Sequence, residues 1–362
     1  MLAHEFPFTK GDEQTPRPSL WTGSTVVSRE ARERELDAWM APGATRPFGA
    51  GQRAVGEVPD EFRLCFERDI GRIKHSPAFR RLAGKCQVFI APEDDHLRTR
   101  LTHAIEVAQV ATSIVRAARL CEPLAEAIAL AHDVGHGPAG HTAEDAFSPY
   151  LEAGYDHALW GADVILAPLN LCTEVLDGVR NGPWRRPAPT TPEAEVVSWS
   201  DRIAYLVHDF DDACRAGIIR HEELPNEVRS VIGTATRDQL AAFVHSVLRH
   251  IDATGLVGME DEYGEALLAF RAWNYERIYL RPAARQQMER AVRLLQGLVE
   301  YYIDAPGRLP DVHDGTVPVV SSGSKEAAVL AVTYVGGMTD RFALGKGVEL
   351  LGWRPEDLPK GV

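Results

Sequence analysis

The chain has 362 residues, 45% hydrophobic and 25% charged, enough to bury a sizeable core as one large or two modest domains. A net charge of −13 excludes a broad duplex-binding surface, which needs a basic footprint, but leaves room for a local basic pocket for phosphates. Five scattered cysteines with no C-x-x-C pair, no charged-then-apolar leader and no apolar run of spanning length point to a soluble cytoplasmic protein with reduced thiols.

Residues 1–58 are rich in Pro, Gly and Arg and are expected to form an extended arm. The arm carries one short helix, RERELDAWM at 32–40, and a loop-like run at 42–56 that wraps a neighbouring surface. Regular structure is expected from near Pro59, and 59–362 reads as one all-α domain. Phe62, Cys65, Phe66 and Ile70, then Phe79 and Leu82, recur at helical spacing. A long helix is predicted over 100–120, with Leu101, Ile105, Ala108, Ala111 and Val115 on its inner stripe. Further helices are predicted at 122–133, 156–178, 193–216, 225–252, 260–279, 282–304 and 324–344. The Pro-rich run 183–193 sits between helices that carry site candidates, so it reads as a loop within the domain.

The stretch AHDVGHGPAGHTAE, 131–144, holds the densest chemistry. His132 and Asp133 offer an imidazole nitrogen and a carboxylate oxygen to one metal ion. The competing reading is that each caps a helix. The apolar run LAEAIALA delivers the pair, and GHGPAGH then breaks the helix. His103 stands one turn into an otherwise apolar helix. Asp201, Tyr205 and Asp209 lie at i, i+4 and i+8, on one face of another. An Asp in such a helix is costly to bury unless it is paired or metal-bound. His103, His132, Asp133 and Asp201 together suit Mn²⁺, Fe²⁺, Mg²⁺ or Zn²⁺, with positions left for water and substrate oxygens. His141 and Glu144 lie at i, i+3 on a helix start, where they can pair for proton transfer or serve as caps.

The order H…HD…D on helices resembles the HD-domain superfamily of metal-dependent phosphohydrolases. More narrowly, the chain resembles the deoxyguanosinetriphosphate triphosphohydrolase-like proteins. The resemblance is carried by RDIGRIKHSPAFRRLAGKCQVF (68–89), RTRLTHAIEVAQVA (98–111), AHDVGHGPAGHTAEDA (131–146), DHALWGADV around His157, SDRIAYLVHDFDDACRAGII (200–219) and YVGGMTDRFAL (334–344). Two departures are Arg202, where many bacterial members have a second Asp, and the DHALWGA segment.

The resemblance implies an HD-type helical fold with a metal site between core helices. It implies hydrolysis of deoxynucleoside triphosphates (dNTPs) to deoxynucleoside and inorganic triphosphate, with one divalent ion, Mn, Mg or Fe. His103, His132, Asp133 and Asp201 would hold the ion, and His141 and Glu144 would be catalytic. His136, His157, Arg100 and Arg202 would contact phosphate. Gln87, Tyr205, Asp209 and Tyr279 would contact sugar or base, although a core role suits Tyr279 equally. Family members are usually homo-oligomers, and some are activated by a second nucleotide. No membrane partner is expected, and nucleic acid only weakly, as single-stranded DNA. The alternatives are another HD phosphohydrolase (a 5′-nucleotidase or a two-metal phosphodiesterase, to which the surplus histidines could give a second ion) or a nucleotide-sensing or single-strand nucleic-acid-binding protein without turnover.

Overall fold

The computed structural model describes residues 26–92, 94–310 and 320–361, so residues 1–25 of the expected arm lie outside the described residues. Fifteen α-helices are described. They begin with α1 (Arg29–Trp39), α2 (Cys65–His75), α3 (Pro77–Arg81), α4 (Arg100–Ala117) and α5 (Glu122–Ala131). Then come α6 (Thr142–Phe147), α7 (His157–Trp160), α8 (Thr173–Asn181), α9 (Pro192–Arg215) and α10 (Asn226–Ile232). The last are α11 (Thr236–Thr254), α12 (Asp261–Asn274), α13 (Pro282–Asp304), α14 (Lys325–Gly336) and α15 (Asp340–Leu351). Among the described residues there is no strand, only isolated bridges such as Cys86 with Thr99.

Helix α5 is the hub. Its Leu124, Ala125, Ala127, Ile128, Ala129, Leu130 and Ala131 are all buried, as expected of a helix that is apolar all round. It packs on α2, α4, α8 and α9. Burying each large side chain such as Leu124 or Ile128 contributes about 1.5–3 kcal/mol. Of the predicted inner stripe of α4, Ala108, Ala111 and Val115 are buried and Leu101 packs partly buried against the core, and Ile105 alone turns outward. Ile105 is 51% exposed, and the buried face runs through His103, Ala104, Val107, Ala111 and Ile114. Small alanines let α4 sit close to α5, and His103 is on the buried face. A second apolar cluster joins Phe147 of α6 to Leu294, Leu298 and Tyr302 of α13 and to Val332 and Val335 of α14.

Several predicted helices break where backbone chemistry demands it. The 156–178 prediction divides into α7, a π turn (Gly161–Ile165), a 3-10 turn (Ala167–Leu169) and α8. Pro168 lies in the 3-10 turn, and Asn170 follows it in the left-handed region. Gly233, at φ +81, separates α10 from α11. Gly337 ends α14 before α15.

The described part of the arm is pinned to the body. The Thr45 backbone N–H and hydroxyl both donate to Glu193, at 3.0 and 2.7 Å. Arg53 donates to Asp69 at 2.6 Å, with both side chains at most 1% exposed.

Candidate active site

His132 follows the last residue of α5. Its Nδ1 donates to the Ala129 carbonyl at 2.7 Å, which caps the helix and fixes the tautomer. The capping role and the ligand role therefore belong to one ring, because the cap uses only Nδ1 and leaves Nε2 for a ligand. That atom is buried with no hydrogen-bond partner. It faces Asp133 Oδ1 at 3.4 Å and Asp201 Oδ1 at 3.6 Å. From α4, His103 brings Nε2 to 3.0 Å from the same Asp201 oxygen. Donor atoms of His103, His132 and Asp133 all lie within 4.8 Å of one another.

This donor set fits a divalent cation. Donor atoms of His103, His132 and Asp133 gather within reach of one ion, Asp201 lies against both rings, and Arg100 balances only the far oxygen of Asp133. Burial pushes the His132 pKa down, but Asp133 and Asp201 outweigh it and raise it to about 9, drawing a proton where a cation would sit. Burial would raise the Asp201 pKa, yet His103 and His132 hold it well below the usual carboxylate range.

Arg100 departs from its expected role. It is 3% exposed, and its Nη1 donates to Asp133 Oδ2 at 2.7 Å. One arm of its fork is engaged by the candidate metal-ligand carboxylate, which fixes the Asp133 oxygen that faces the rings, while its Nε has no partner among the described residues. Burial would raise the Asp133 pKa, but Arg100, His132 and His136 keep it well below the usual range.

A second cluster adjoins the first. His136 Nε2 is 3.2 Å from Asp133 Oδ1, the oxygen that faces His132. The His136 ring stacks on His157 at 3.7 Å between centroids, and His141 meets both edge-on. Donor atoms of His136, His141, Glu144 and His157 also come within 4.8 Å of one another. The nearest partner of Glu144 is His157, whose Nδ1 makes a short hydrogen bond to Oε1; His141 Nδ1 lies 3.5 Å from the same oxygen. Glu144 thus serves two rings rather than His141 alone. His141 at the start of α6 has no side-chain capping bond, whereas Glu144 also accepts the His157 N–H at the start of α7, at 3.4 Å. Burial holds His157 and His136 below the usual histidine pKa, so both rings are neutral near pH 7. The side chain of His141 is 65% exposed and opens to solvent.

The tight turn between the clusters needs special residues. A Cβ on Gly135 would lie 2.0 Å from the His157 carbonyl oxygen, so only glycine lets the His132–Asp133 turn abut α7. Ala139 and Gly140 both have φ near +62, a left-handed pair held from outside. Asp340 accepts from the Ala139 N–H at 3.0 Å and the Cys86 N–H at 3.1 Å. Buried Lys85 donates to the His136 and Gly336 carbonyls, and burial lowers its pKa to about 7. Lys85 and Asp340 were not anticipated as part of the site. They stand in the quoted KCQVF and GMTDR segments, but only the folded chain joins them to His136.

The sequence matches the HD domain over residues 100–206 and the Phosphohydrolase-associated domain over residues 257–346. It is 38% identical over 328 residues to a deoxyguanosinetriphosphate triphosphohydrolase-like protein of Caldanaerobacter subterraneus subsp. tengcongensis, covering 89% of this chain and 95% of that one. The chain belongs to the deoxyguanosinetriphosphate triphosphohydrolase-like family of HD-domain proteins. Proteins of the same description from Clostridium perfringens and Desulfatibacillum aliphaticivorans are 36% and 33% identical, over 79% and 88% of this chain and 86% and 96% of theirs. In fold the chain is similar to a crystallographically solved hypothetical protein of Aquifex aeolicus, with a TM-score of 0.50 at 18% identity, over 84% of this chain and 70% of that one. The protein is thus a metal-binding hydrolase of the HD phosphohydrolase class. Among the described residues no helix is long and apolar enough to cross a membrane.

The residues that the family resemblance assigns to sugar and base, with Arg202 assigned to phosphate, fall into two sets. The Tyr279 hydroxyl donates to Asp209 Oδ2 at 2.6 Å, so this tyrosine is tied to the α9 face rather than only packed in the core. Asp209 Oδ1 and Gln87 Oε1 are buried atoms with no protein partner. Tyr205 is half-buried against the main core, and Arg202 stacks over Trp184 at 3.6 Å instead of pairing with an acid.

Burial raises the Asp209 pKa to about 8; the Tyr279 hydrogen bond opposes this and the Asp212 charge adds to it, with Arg98 and Arg100 pulling down. Between about pH 4 and about pH 8 the folded protein therefore holds a proton that the unfolded chain has lost. This group makes stability fall as pH rises through that window, and above it the contribution is gone. Asp209→Asn should flatten the stability profile over this range. Urea unfolding of both proteins at about pH 5 and about pH 8 measures the difference, and parallel losses in the two would refute the assignment.

Proposed function

We propose that this protein hydrolyses deoxynucleoside triphosphates to deoxynucleoside and inorganic triphosphate. The observation that carries the reading is Asp133, whose Oδ1 joins the two clusters at 3.4 Å from His132 and 3.2 Å from His136. A metal-ligand set and a proton-transfer set so close together suit attack of water on one phosphorus. His103, His132, Asp133 and Asp201 would hold a divalent cation, which would supply Lewis acidity toward a phosphate oxygen when bound.

The chain's own groups supply the rest. Glu144 orients the His141 ring through Nδ1, leaving Nε2 to exchange a proton with the reacting oxygens. The 3.5 Å separation is loose and would tighten once substrate fills the site. His136 Nε2 faces Asp133 and His157 Nδ1 faces Glu144, so the single proton of each neutral ring points at a carboxylate, and the other nitrogen would donate to a phosphate oxygen only when the substrate's negative charge draws a second proton onto the ring. Gln87 and Asp209 supply unpaired buried oxygens to a 3′-hydroxyl, and Asp209 can also donate while it keeps its proton.

The second donor cluster also favours a two-metal phosphodiesterase reading. Product analysis separates the two. Incubation with each common dNTP and NTP, in Mn²⁺ or Mg²⁺, should yield deoxynucleoside and triphosphate in equal amounts from dNTPs. Release of monophosphate or pyrophosphate would reject the reading. Dideoxy analogues should be roughly ten- to a hundred-fold poorer in kcat/KM, because they leave buried polar groups unpaired.

A further inference from the structure

Between α8 and α9 runs the Pro-rich loop 182–190. Both of its ends are fastened. Ser198 donates its hydroxyl to the Gly182 carbonyl, and the Thr190 N–H and hydroxyl each donate to Asp177 at 2.7 Å. The Arg186 N–H closes a turn on the Pro183 carbonyl at 2.8 Å, so Trp184 and Arg185 project from a fixed tip.

This tip touches both halves of the site. Trp184 meets Trp199 of α9 edge-on at 4.7 Å and carries the Arg202 guanidinium on its face at 3.6 Å. Arg202 is the neighbour of the metal-ligand candidate Asp201. In the other direction Arg185 reaches Glu144 at 3.5 Å and Asp156 at 3.1 Å. These contacts are long for an arginine fork, and the Arg185 side chain is 49% exposed, so it is free to re-aim. Arg100 is already engaged by Asp133. A substrate with several negative charges needs other cations beside the site, and the loop brings Arg185 and holds Arg202 of α9.

We propose that loop 182–190 is a polyphosphate clamp: Arg185 binds the phosphate oxygens beyond the reacting one, and Trp184 is a positioning residue that holds Arg202 for the same task. The proposal rests on the triphosphate-substrate reading given above. Planar guanidinium forks match phosphate oxygens in pairs, and a stacked arginine keeps its edge free for that bonding.

The test is calorimetric titration of inorganic tripolyphosphate into the protein in excess Mg²⁺, which needs no turnover. Arg185→Ala should weaken binding about tenfold or more, with partial rescue in Arg185→Lys. Trp184→Ala should reproduce the defect of Arg202→Ala, Trp184→Phe should restore binding, and the Trp184→Ala/Arg202→Ala double variant should be no worse than Arg202→Ala alone. In turnover, Arg185→Ala should raise KM more than it lowers kcat. Unchanged tripolyphosphate affinity in Arg185→Ala, with the whole loss in kcat, would reduce Arg185 to a support of Glu144 and overturn the clamp. If the unaltered protein binds tripolyphosphate through Arg185 yet releases none from dNTPs, the clamp stands and the reaction assignment falls.

Discussion

Asp201→Asn is expected to lose most bound metal and to lower turnover by roughly 10²–10³-fold, the equivalent of several kcal/mol of Lewis-acid stabilisation. The fold should survive. The Asp201 side chain is 37% exposed and its described partners are two histidines, so the metal-free variant should unfold within about 1 kcal/mol of the parent. Asp133→Asn should behave differently. Arg100, 3% exposed, would lose its carboxylate partner, and an uncompensated buried charge costs about 3–5 kcal/mol. Metal analysis by mass spectrometry and urea unfolding of the two variants separate these roles. Full metal content in Asp201→Asn would remove Asp201 from the site, and equal stability of the two variants would contradict the burial argument.

Much of this architecture was legible in the chain because the signals are local. The apolar run before His132 is continuous, so the buried helix α5 follows from it directly. His132, Asp133, His136, His141 and Glu144 fall within thirteen residues, and the fold had only to add His103 and Asp201 from the two helices packed on α5. The features that were missed are long-range or depend on which face turns inward. Ala108, Ala111 and Val115 of the expected α4 stripe are buried, but the buried face extends toward His103, Ala104 and Val107, and Ile105 is left in solvent. Glu144 seemed the partner of His141, three residues away, until the break before α7 brought His157 nearer. Asp340 supports Ala139 across 201 residues. Trp184 and Arg185 looked like a mere connection, because only their contacts with Arg202 and Glu144 give them a role.

Glu144→Gln should lower kcat by roughly 10²–10⁴-fold while dNTP binding changes little, the loss usual for a missing proton-transfer group. The carboxylate is placed for this. Burial would raise its pKa, but the hydrogen bonds with His141 and His157 hold it far below the usual range, so it stays ionised across the working pH. An ionised Glu144 keeps the Nδ1 protons of both rings pointed at itself and stabilises positive charge when His141 takes up a second proton. The neutral amide of Gln can still accept one hydrogen bond, but it supplies no charge. His141→Gln should match this loss, because Glu144 acts through that ring, and the double variant should be little worse than either single one. His157→Gln should be milder in kcat and heavier in KM, since its neutral ring serves phosphate rather than proton transfer. Pre-steady-state burst and binding measurements on the variants, loaded with the same metal, give the split. A Glu144→Gln protein with parental kcat and raised KM would move Glu144 out of the proton-transfer step and leave it a scaffold for His157 alone.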